Sequence, residues 1–158
     1  MKSKLLLLGI TFMVSLFMAC EEESFSDIEK TYELAGFTEI DLGNAFRIDI
    51  SQGKAYQVKA IGKPRDINDL QLKVTNGRLT AKYDPSRDNR KLTYLSIQLP
   101  KLTYLRLSGA TDTDLSFFNE TDSLRLSVDG ASKLDAQLSL KFLDLHVSGA
   151  SDVTLDGL

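Results

Sequence analysis

Histidine and cysteine are all but missing from this chain of 158 residues, which carries one of each. With His146 alone, most histidine-based metal sites are excluded and a Ser-His-Asp arrangement has a single candidate base. His146 lies between Leu145 and Val147 in an alternating stretch, which makes it an outward, solvated strand residue. With Cys20 alone there is neither a disulfide nor a cysteine cluster, so the fold must rest on its apolar core. Basic blocks are missing too: 19 Lys+Arg stand against 22 Asp+Glu, a net charge of −3. Phosphate backbones demand clustered Lys and Arg, so nucleic acid is excluded as a partner. The longest apolar run, Leu5 to Ala19, is short of the roughly 20 residues a membrane helix needs. There is no glycine-rich calcium repeat, and the spacing of the glycines does not make a phosphate loop. Nothing in the chain asks for a metal or a cofactor.

The apolar run has a different use. Lys2 and Lys4 precede it as a short positive region, the layout of a secretory signal over residues 1–19. Phe17-Met18-Ala19-Cys20 resembles a bacterial lipobox, with a small residue before the cysteine and phenylalanine where leucine is commonest. Cleavage there leaves 139 residues and, with Lys2 and Lys4 gone, a net charge of −5. Acyl chains contribute about 0.8 kcal/mol per buried methylene, so a multiply acylated Cys20 is the expected membrane anchor. Glu21, Glu22 and Glu23 follow directly. They read first as the start of a solvated acidic tether over residues 20–35, and they also resemble the surface-export signals of Bacteroidetes lipoproteins.

From Phe37 onward apolar residues recur with period two, the mark of half-buried strands. Ile40 and Leu42 alternate with Glu39 and Asp41; Phe46, Ile48 and Ile50 alternate with Arg47 and Asp49. Asn76-Gly77 supplies the two positive-φ residues of a type I′ turn between Leu70–Val74 and Leu79–Tyr83. Residues 84–91 hold Pro85 and five charged residues and read as an exposed loop. Residues 64–70 allow one short turn of helix, with Asp66 as its cap. Pro100 suits a corner between strands.

The C-terminal third repeats itself. Leu105-Arg106-Leu107-Ser108-Gly109-Ala110-Thr111-Asp112 is followed by Leu126-Ser127-Val128-Asp129-Gly130-Ala131-Ser132-Lys133 and by Leu145-His146-Val147-Ser148-Gly149-Ala150-Ser151-Asp152. The glycines are 21 and then 19 residues apart, a spacing that signals stacked coils. Superposed on Gly109, Gly130 and Gly149, the copies give two inward columns before the corner, Leu105/Leu126/Leu145 and Leu107/Val128/Val147. Two more follow it, Thr113/Leu134/Val153 and Leu115/Ala136/Leu155. The corner must be small and sharply bent, which glycine permits. The expectation is an all-β fold: a parallel β-helix, or solenoid, of roughly 20-residue coils from about Leu92 to the end, with the strands of residues 37–83 starting or capping the same stack.

Three features resemble the head GIN domain family, described as auto-transporter adhesins of exported Bacteroidetes proteins. They are residues 36–42 with 46–50 and 53–58, the hairpin Asn76-Gly77-Arg78-Leu79, and the Ser-Gly-Ala-Ser-like corners at 108–111, 129–132 and 148–151. Together they cover residues 36–158, one domain. The resemblance implies a right-handed parallel β-helix and an adhesion or binding role, and it brings no catalytic residues. Family members usually continue for several more coils, whereas this chain reaches Leu158 partway through one. The expectation is a short chain, or a last coil closed by a partner or a second subunit.

The candidate site is acidic. Asp112, Lys133 and Asp152 form one column beside the corner, and Asp114 and Asp135 another. Stacked strands lie about 4.8 Å apart, close enough for neighbouring carboxylates to perturb each other. A surface ladder neutralised by Lys133 is the favoured account. Tyr94 and Tyr104 offer rings to a sugar, or are ordinary strand packing. The chain therefore reads as an exported lipoprotein, anchored in the outer membrane and exposed at the surface. Its domain is a non-catalytic adhesion or binding module for carbohydrate or protein. The rivals are a carbohydrate-active enzyme using Asp114, Asp135 or Asp152, and a structural envelope component that self-associates through its C-terminal coil.

Overall fold

The computed structural model describes residues 26–118 and 122–157, in which the alternating stretches become thirteen strands and one short helix. In β3 (Phe46–Gln52) the side chains of Phe46, Ile48 and Ile50 are buried while Arg47 and Asp49 are exposed. The same two-residue rhythm runs through β7 (Thr93–Leu99), β10 (Ser123–Val128) and β11 (Lys133–Leu138). Successive side chains on a strand leave opposite faces, so each of these strands has one face for the core and one for solvent.

The strands form two sheets. One has seven strands: β1 (Ile28–Tyr32), β4 (Gln57–Gly62), β7, β3, β9 (Asp112–Phe118), β11 and β13 (Asp152–Asp156), in that spatial order. The other has six: β12 (Phe142–Val147), β10, β8 (Tyr104–Leu107), β2 (Glu39–Leu42), β6 (Arg78–Tyr83) and β5 (Leu70–Thr75). Both are mixed. The pairs β1–β4, β4–β7 and β5–β6 are antiparallel, and the others are parallel.

The right-handed parallel β-helix expected from the repeats is therefore not the fold. Two physical facts overturn it. The Asn76-Gly77 turn, with φ of 50° and 76°, closes a two-residue hairpin, and such a turn can only return the chain antiparallel. Spatial order also departs from chain order: β3 lies between β7 and β9, and β2 between β6 and β8. Residues 37–83 do not start or cap a stack of successive coils. Their strands β2 and β3 stand inside it, and a repeat along the sequence cannot reveal a neighbour brought in from elsewhere in the chain.

The inserted pair is itself a fourth copy of the repeat. Ile40, Leu42, Ile48 and Ile50 pair in register with Leu105, Leu107, Thr113 and Leu115. Those in turn pair with Leu126, Val128, Leu134 and Ala136. The corner of this copy is Gly43-Asn44-Ala45, and Asn44 takes the left-handed conformation (φ 73°) that Gly109, Gly130 and Gly149 take in the others. Asparagine is among the few side-chain-bearing residues that accept it. The corners then stack through backbone bonds: the amide of Ala110 donates to Asn44 O at 2.9 Å, that of Ala131 to Gly109 O at 2.8 Å, and that of Ala150 to Gly130 O at 2.7 Å. A Cβ on Gly130 would sit 2.5 Å from the Gly109 carbonyl oxygen. Beside Asn44, at the head of the column, there is instead an open cavity of about 540 Å³ bordered by Ala45, Tyr83 and Arg90, so a side chain is accommodated.

The inward faces of both sheets meet in one core, in which Ile40, Leu42, Phe46, Ile48, Ile50, Leu105, Leu107, Leu126, Val128 and Leu134 are fully buried. Helix α1 (Pro64–Asp69) adds Ile67. Its N-cap is Lys63, without a side-chain capping bond, so Asp66 is not the cap the sequence suggested. Asp66 is buried and receives bonds from Arg65 Nε (3.0 Å), Arg90 (3.0 Å) and the Lys91 amide (2.9 Å). Arg90 also pairs with Asp69 at 3.1 Å and lies 4.0 Å from the Tyr83 ring centroid. The charged loop 84–91, mostly exposed as expected, is clasped to the helix by this cluster.

Candidate functional site

Parallel in-register pairing turns each outward position of the repeat into a row running across the sheet. On the seven-stranded sheet one row is Tyr94, Arg47, Asp112, Lys133 and Asp152. The next is Ser96, Asp49, Asp114, Asp135 and Thr154. The five residues singled out from the sequence do share this face, and the inserted repeat adds Arg47 and Asp49. Lys133 is ion-paired with Asp135, and Arg47 stands 3.7 Å from Asp112. The bond to Lys133 holds the Asp135 carboxyl below the usual carboxylate range, and the same bond raises the Lys133 ammonium. A carboxyl kept anionic in this way is a poor general acid for glycoside cleavage, which needs a raised pKa. A shallow groove of about 360 Å³ lies along this face between Asp114, Asp135 and Asp156. Among the described residues no group of three or more His, Cys, Asp or Glu is arranged to hold a metal ion.

The six-stranded sheet presents a different surface. Its first outward row reads Arg78, Glu39, Tyr104, Arg125 and Asp144. Glu39 Oε2 accepts from Arg78 at both Nε (2.8 Å) and Nη2 (2.7 Å), one oxygen shared by two charge-assisted donors. The Glu39 bond raises the Arg78 guanidinium above its ordinary value. The Arg78 guanidinium carbon lies 4.9 Å from the Tyr104 ring centroid, within cation–π range. On the far side Arg125 donates to Asp144 at 2.8 Å. These side chains, with Thr103 and Ser123, line a groove of about 440 Å³. The second row, Thr80, Asp41, Arg106, Ser127 and His146, has no aromatic residue, and His146 is exposed as expected. Beside it, Ser148 Oγ donates to Asp129 Oδ1 at 2.5 Å, and this bond, helped by Arg106, holds the Asp129 carboxyl low.

Sequence reasoning named Tyr104 but missed Glu39, Arg78, Arg125 and Asp144. A usable signal existed: Glu39-Ile40-Asp41-Leu42-Gly43-Asn44-Ala45 aligns without a gap on residues 104–110, 125–131 and 144–150. Asparagine at the corner hid the copy from a search anchored on glycine. Cys20 and Glu21 to Glu23 lie outside the described residues, and within those no helix is long and apolar enough to cross a membrane.

The fold recurs in known structures. A "putative adhesin" from Bacteroides fragilis superposes with a TM-score of 0.74 at 25% identity, covering 85% of this chain and 64% of that one. A "putative adhesin" from Parabacteroides merdae gives 0.75 at 13%, covering 84% and 57%. A "putative lipid binding protein" from Parabacteroides distasonis gives 0.62 at 15%, covering 84% and 61%. This chain thus spans about three fifths of the length of these relatives. No protein of curated function matches it. The family profile described as "Putative auto-transporter adhesin, head GIN domain" matches residues 36–158. With the two-sheet stack and its corners lying within that span, the chain belongs to the head GIN domain family.

Proposed function

We propose that this chain is an exported, lipid-anchored adhesion module that holds a ligand at the cell surface without transforming it. Cys20 carries the lipid in the outer membrane, Glu21 to Glu23 act as tether and export signal ahead of β1, which joins the seven-stranded sheet at Ile28–Tyr32, and the two-sheet body presents its outward rows. The observation that carries the reading is the in-register alignment of those rows. Three of the four repeat copies hold their polar side chains on strands locked by backbone bonds on both sides, and a rigid, preorganised surface binds at low entropic cost.

The test uses cells producing the full chain. Wild-type protein should fractionate with the outer membrane, be accessible to protease on intact cells, and raise adherence to glycan- or protein-coated surfaces. Cys20→Ala should release it into the soluble fraction and abolish the gain in adherence. Adherence unchanged by deleting the gene would refute the reading, as would turnover of a bound glycan that is lost on Asp114→Asn or Asp135→Asn.

One observation favours a second reading, assembly with another copy through the β12 edge. Phe142, Leu145 and Val147 are 71%, 41% and 42% exposed, and β12 has a strand partner on one side alone among the described residues. Self-association that rises with concentration and is removed by Leu145→Lys would support it, and a monomer at high concentration would oppose it.

A further inference from the structure

Rigid display leaves open which face binds and what. We infer that the groove centred on Tyr104 is a glycan site, selective for neutral saccharide chains and aligned along the row Arg78–Glu39–Tyr104–Arg125–Asp144. The inference rests on the adhesion reading and names its ligand.

Saccharide rings present an apolar C–H face and a rim of hydroxyls that both donate and accept. A site for them needs an aromatic surface flanked by paired donors and acceptors. The first outward row of the six-stranded sheet has that composition in that order. Tyr104 is half-buried at its centre and lines the groove, with the Arg78 guanidinium 4.9 Å from its ring centroid. On either side stands one guanidinium–carboxylate pair, Arg78 with Glu39 and Arg125 with Asp144. Guanidinium supplies N–H donors in a rigid fork, and each carboxylate supplies acceptors. Ser123 adds a hydroxyl at the groove wall. Neighbouring positions in the row are about 4.8 Å apart, so the polar groups repeat at intervals across the strands rather than along them.

Charge decides the kind of saccharide. The row holds two cations and two anions and is neutral as a whole, whereas a uronate or sulfate chain calls for an uncompensated basic track. The domain as a whole, residues 36–158, carries 16 Lys+Arg against 16 Asp+Glu, so it adds no net positive field to draw in a polyanion. The Arg78–Glu39 pair is half-buried, and the Arg125–Asp144 pair is exposed, its side chains retaining 67% and 69% of their accessibility. Exposed pairs contribute little to stability, so redirecting their hydrogen bonds to ligand hydroxyls has a small cost. A peptide strand is the weaker fit, because peptides add to sheet edges and this groove lies on a face. The seven-stranded sheet places Tyr94 beside Arg47, but there the adjoining row carries Asp49, Asp114 and Asp135 and no cation of its own, Lys133 reaching Asp135 from the neighbouring row.

The test is a binding array with the purified full chain in detergent. The probes are neutral oligosaccharides (gluco-, manno- and N-acetylglucosamine-based hexamers), acidic ones (oligogalacturonate and heparin fragments) and immobilised matrix proteins. Retention of at least one neutral class is expected. Tyr104→Ala should weaken it by roughly tenfold or more, and Arg125→Ala by a similar factor. Tyr94→Ala on the opposite sheet should leave affinity unchanged. Arg125 and Asp144 are surface residues, so Arg125→Ala and Asp144→Ala test the site even if Tyr104→Ala misfolds. Retention of acidic probes or matrix proteins alone, or wild-type affinity in the Arg125 and Asp144 variants, overturns the inference. Cells that still adhere when carrying Arg125→Ala refute this site while leaving the adhesion reading intact. Loss of adherence only on gene deletion or Cys20→Ala, with no neutral glycan bound by the pure chain, does the same.

Discussion

Replacing Gly130 with alanine separates two costs that the stacked corners combine. Gly130 sits at φ 83°, and a Cβ there meets the Gly109 carbonyl oxygen at 2.5 Å, its nitrogen at 3.0 Å and its carbon at 3.3 Å. The left-handed conformation alone costs an alanine about 1–2 kcal/mol. The clash adds to that, because every atom in the way is backbone of the next corner. Relief requires moving Gly109 away, which breaks the 2.8 Å bond from the Ala131 amide to Gly109 O and disturbs the 2.7 Å bond from the Ala150 amide to Gly130 O. Each lost bond is worth about 1 kcal/mol, so the expected loss is about 3–4 kcal/mol. Gly77→Ala is the internal control. Its φ is 76°, but the nearest atom to its Cβ is 3.9 Å away, so it should lose only the conformational share of about 1–2 kcal/mol. At roughly 4 °C per kcal/mol for a chain of this size, thermal melts followed by circular dichroism should fall by about 12–16 °C for Gly130→Ala. For Gly77→Ala the fall should be about 4–8 °C. Equal losses in the two variants would show that the corners do not bear on each other, and the stacking argument would fail.

The buried hydroxyls offer the opposite sign. Thr113 Oγ1 is buried without a hydrogen-bond partner in a column otherwise filled by Ile48, Leu134 and Val153; Thr113→Val should raise stability by about 1 kcal/mol in urea titration. Ile50→Ala empties a fully buried site between Leu115 and Ile97 and should cost about 2–5 kcal/mol. Asp66→Asn removes the carboxylate shared by Arg65, Arg90 and the Lys91 amide, and Arg90→Ala removes a cation shared by Asp66 and Asp69; each should cost about 1–3 kcal/mol, and the double variant should lose less than the sum. Burial pushes the Asp66 carboxyl up, yet the Lys91 amide and the Arg65 and Arg90 guanidinium groups together bring it below 3.8. A group depressed in the folded state stabilises above its unfolded pKa, and that contribution is lost as pH falls through the lower folded value. Wild type should therefore lose stability below about pH 4, and Asp66→Asn should flatten that acid limb.

Local rules were legible wherever a feature depended on its own few residues. Strand faces followed from alternation, the hairpin from Asn76-Gly77, and the column register from the spacing of Gly109, Gly130 and Gly149, because register within a repeat is fixed by the repeat itself; Leu145 and Val147, expected to face the interior, are exposed because β12 ends its sheet. The architecture was not legible in the same way. Whether β9 takes β3 or the return of its own coil as neighbour depends on which strand covers its open edge, and that competition is between segments 65 residues apart. The acidic face was found because three members of each of its two rows lie in the visible repeats. The Tyr104 groove was missed because Glu39 and Arg78 reach it only through that long-range pairing. The Asp66–Arg90 clasp had no sequence signal, since a charged loop looks the same solvated or folded back.

The insertion of β2 and β3 into the stack also orders the events of folding. Pairing β8 with β10 closes a loop of 21 residues, whereas pairing β2 with β8 closes one of 65. Closure entropy grows with the logarithm of loop length, so the longer closure costs about 1 kcal/mol more. The three C-terminal repeats should collapse on one another first, and the N-terminal pair should dock afterwards. Until it does, β8 and β9 present unpaired backbone at the middle of both sheets, a surface any second chain can use. Residues 39–52 thus serve as the molecule's own chaperone for the edge they occupy, and the interval before they arrive is when aggregation competes with folding.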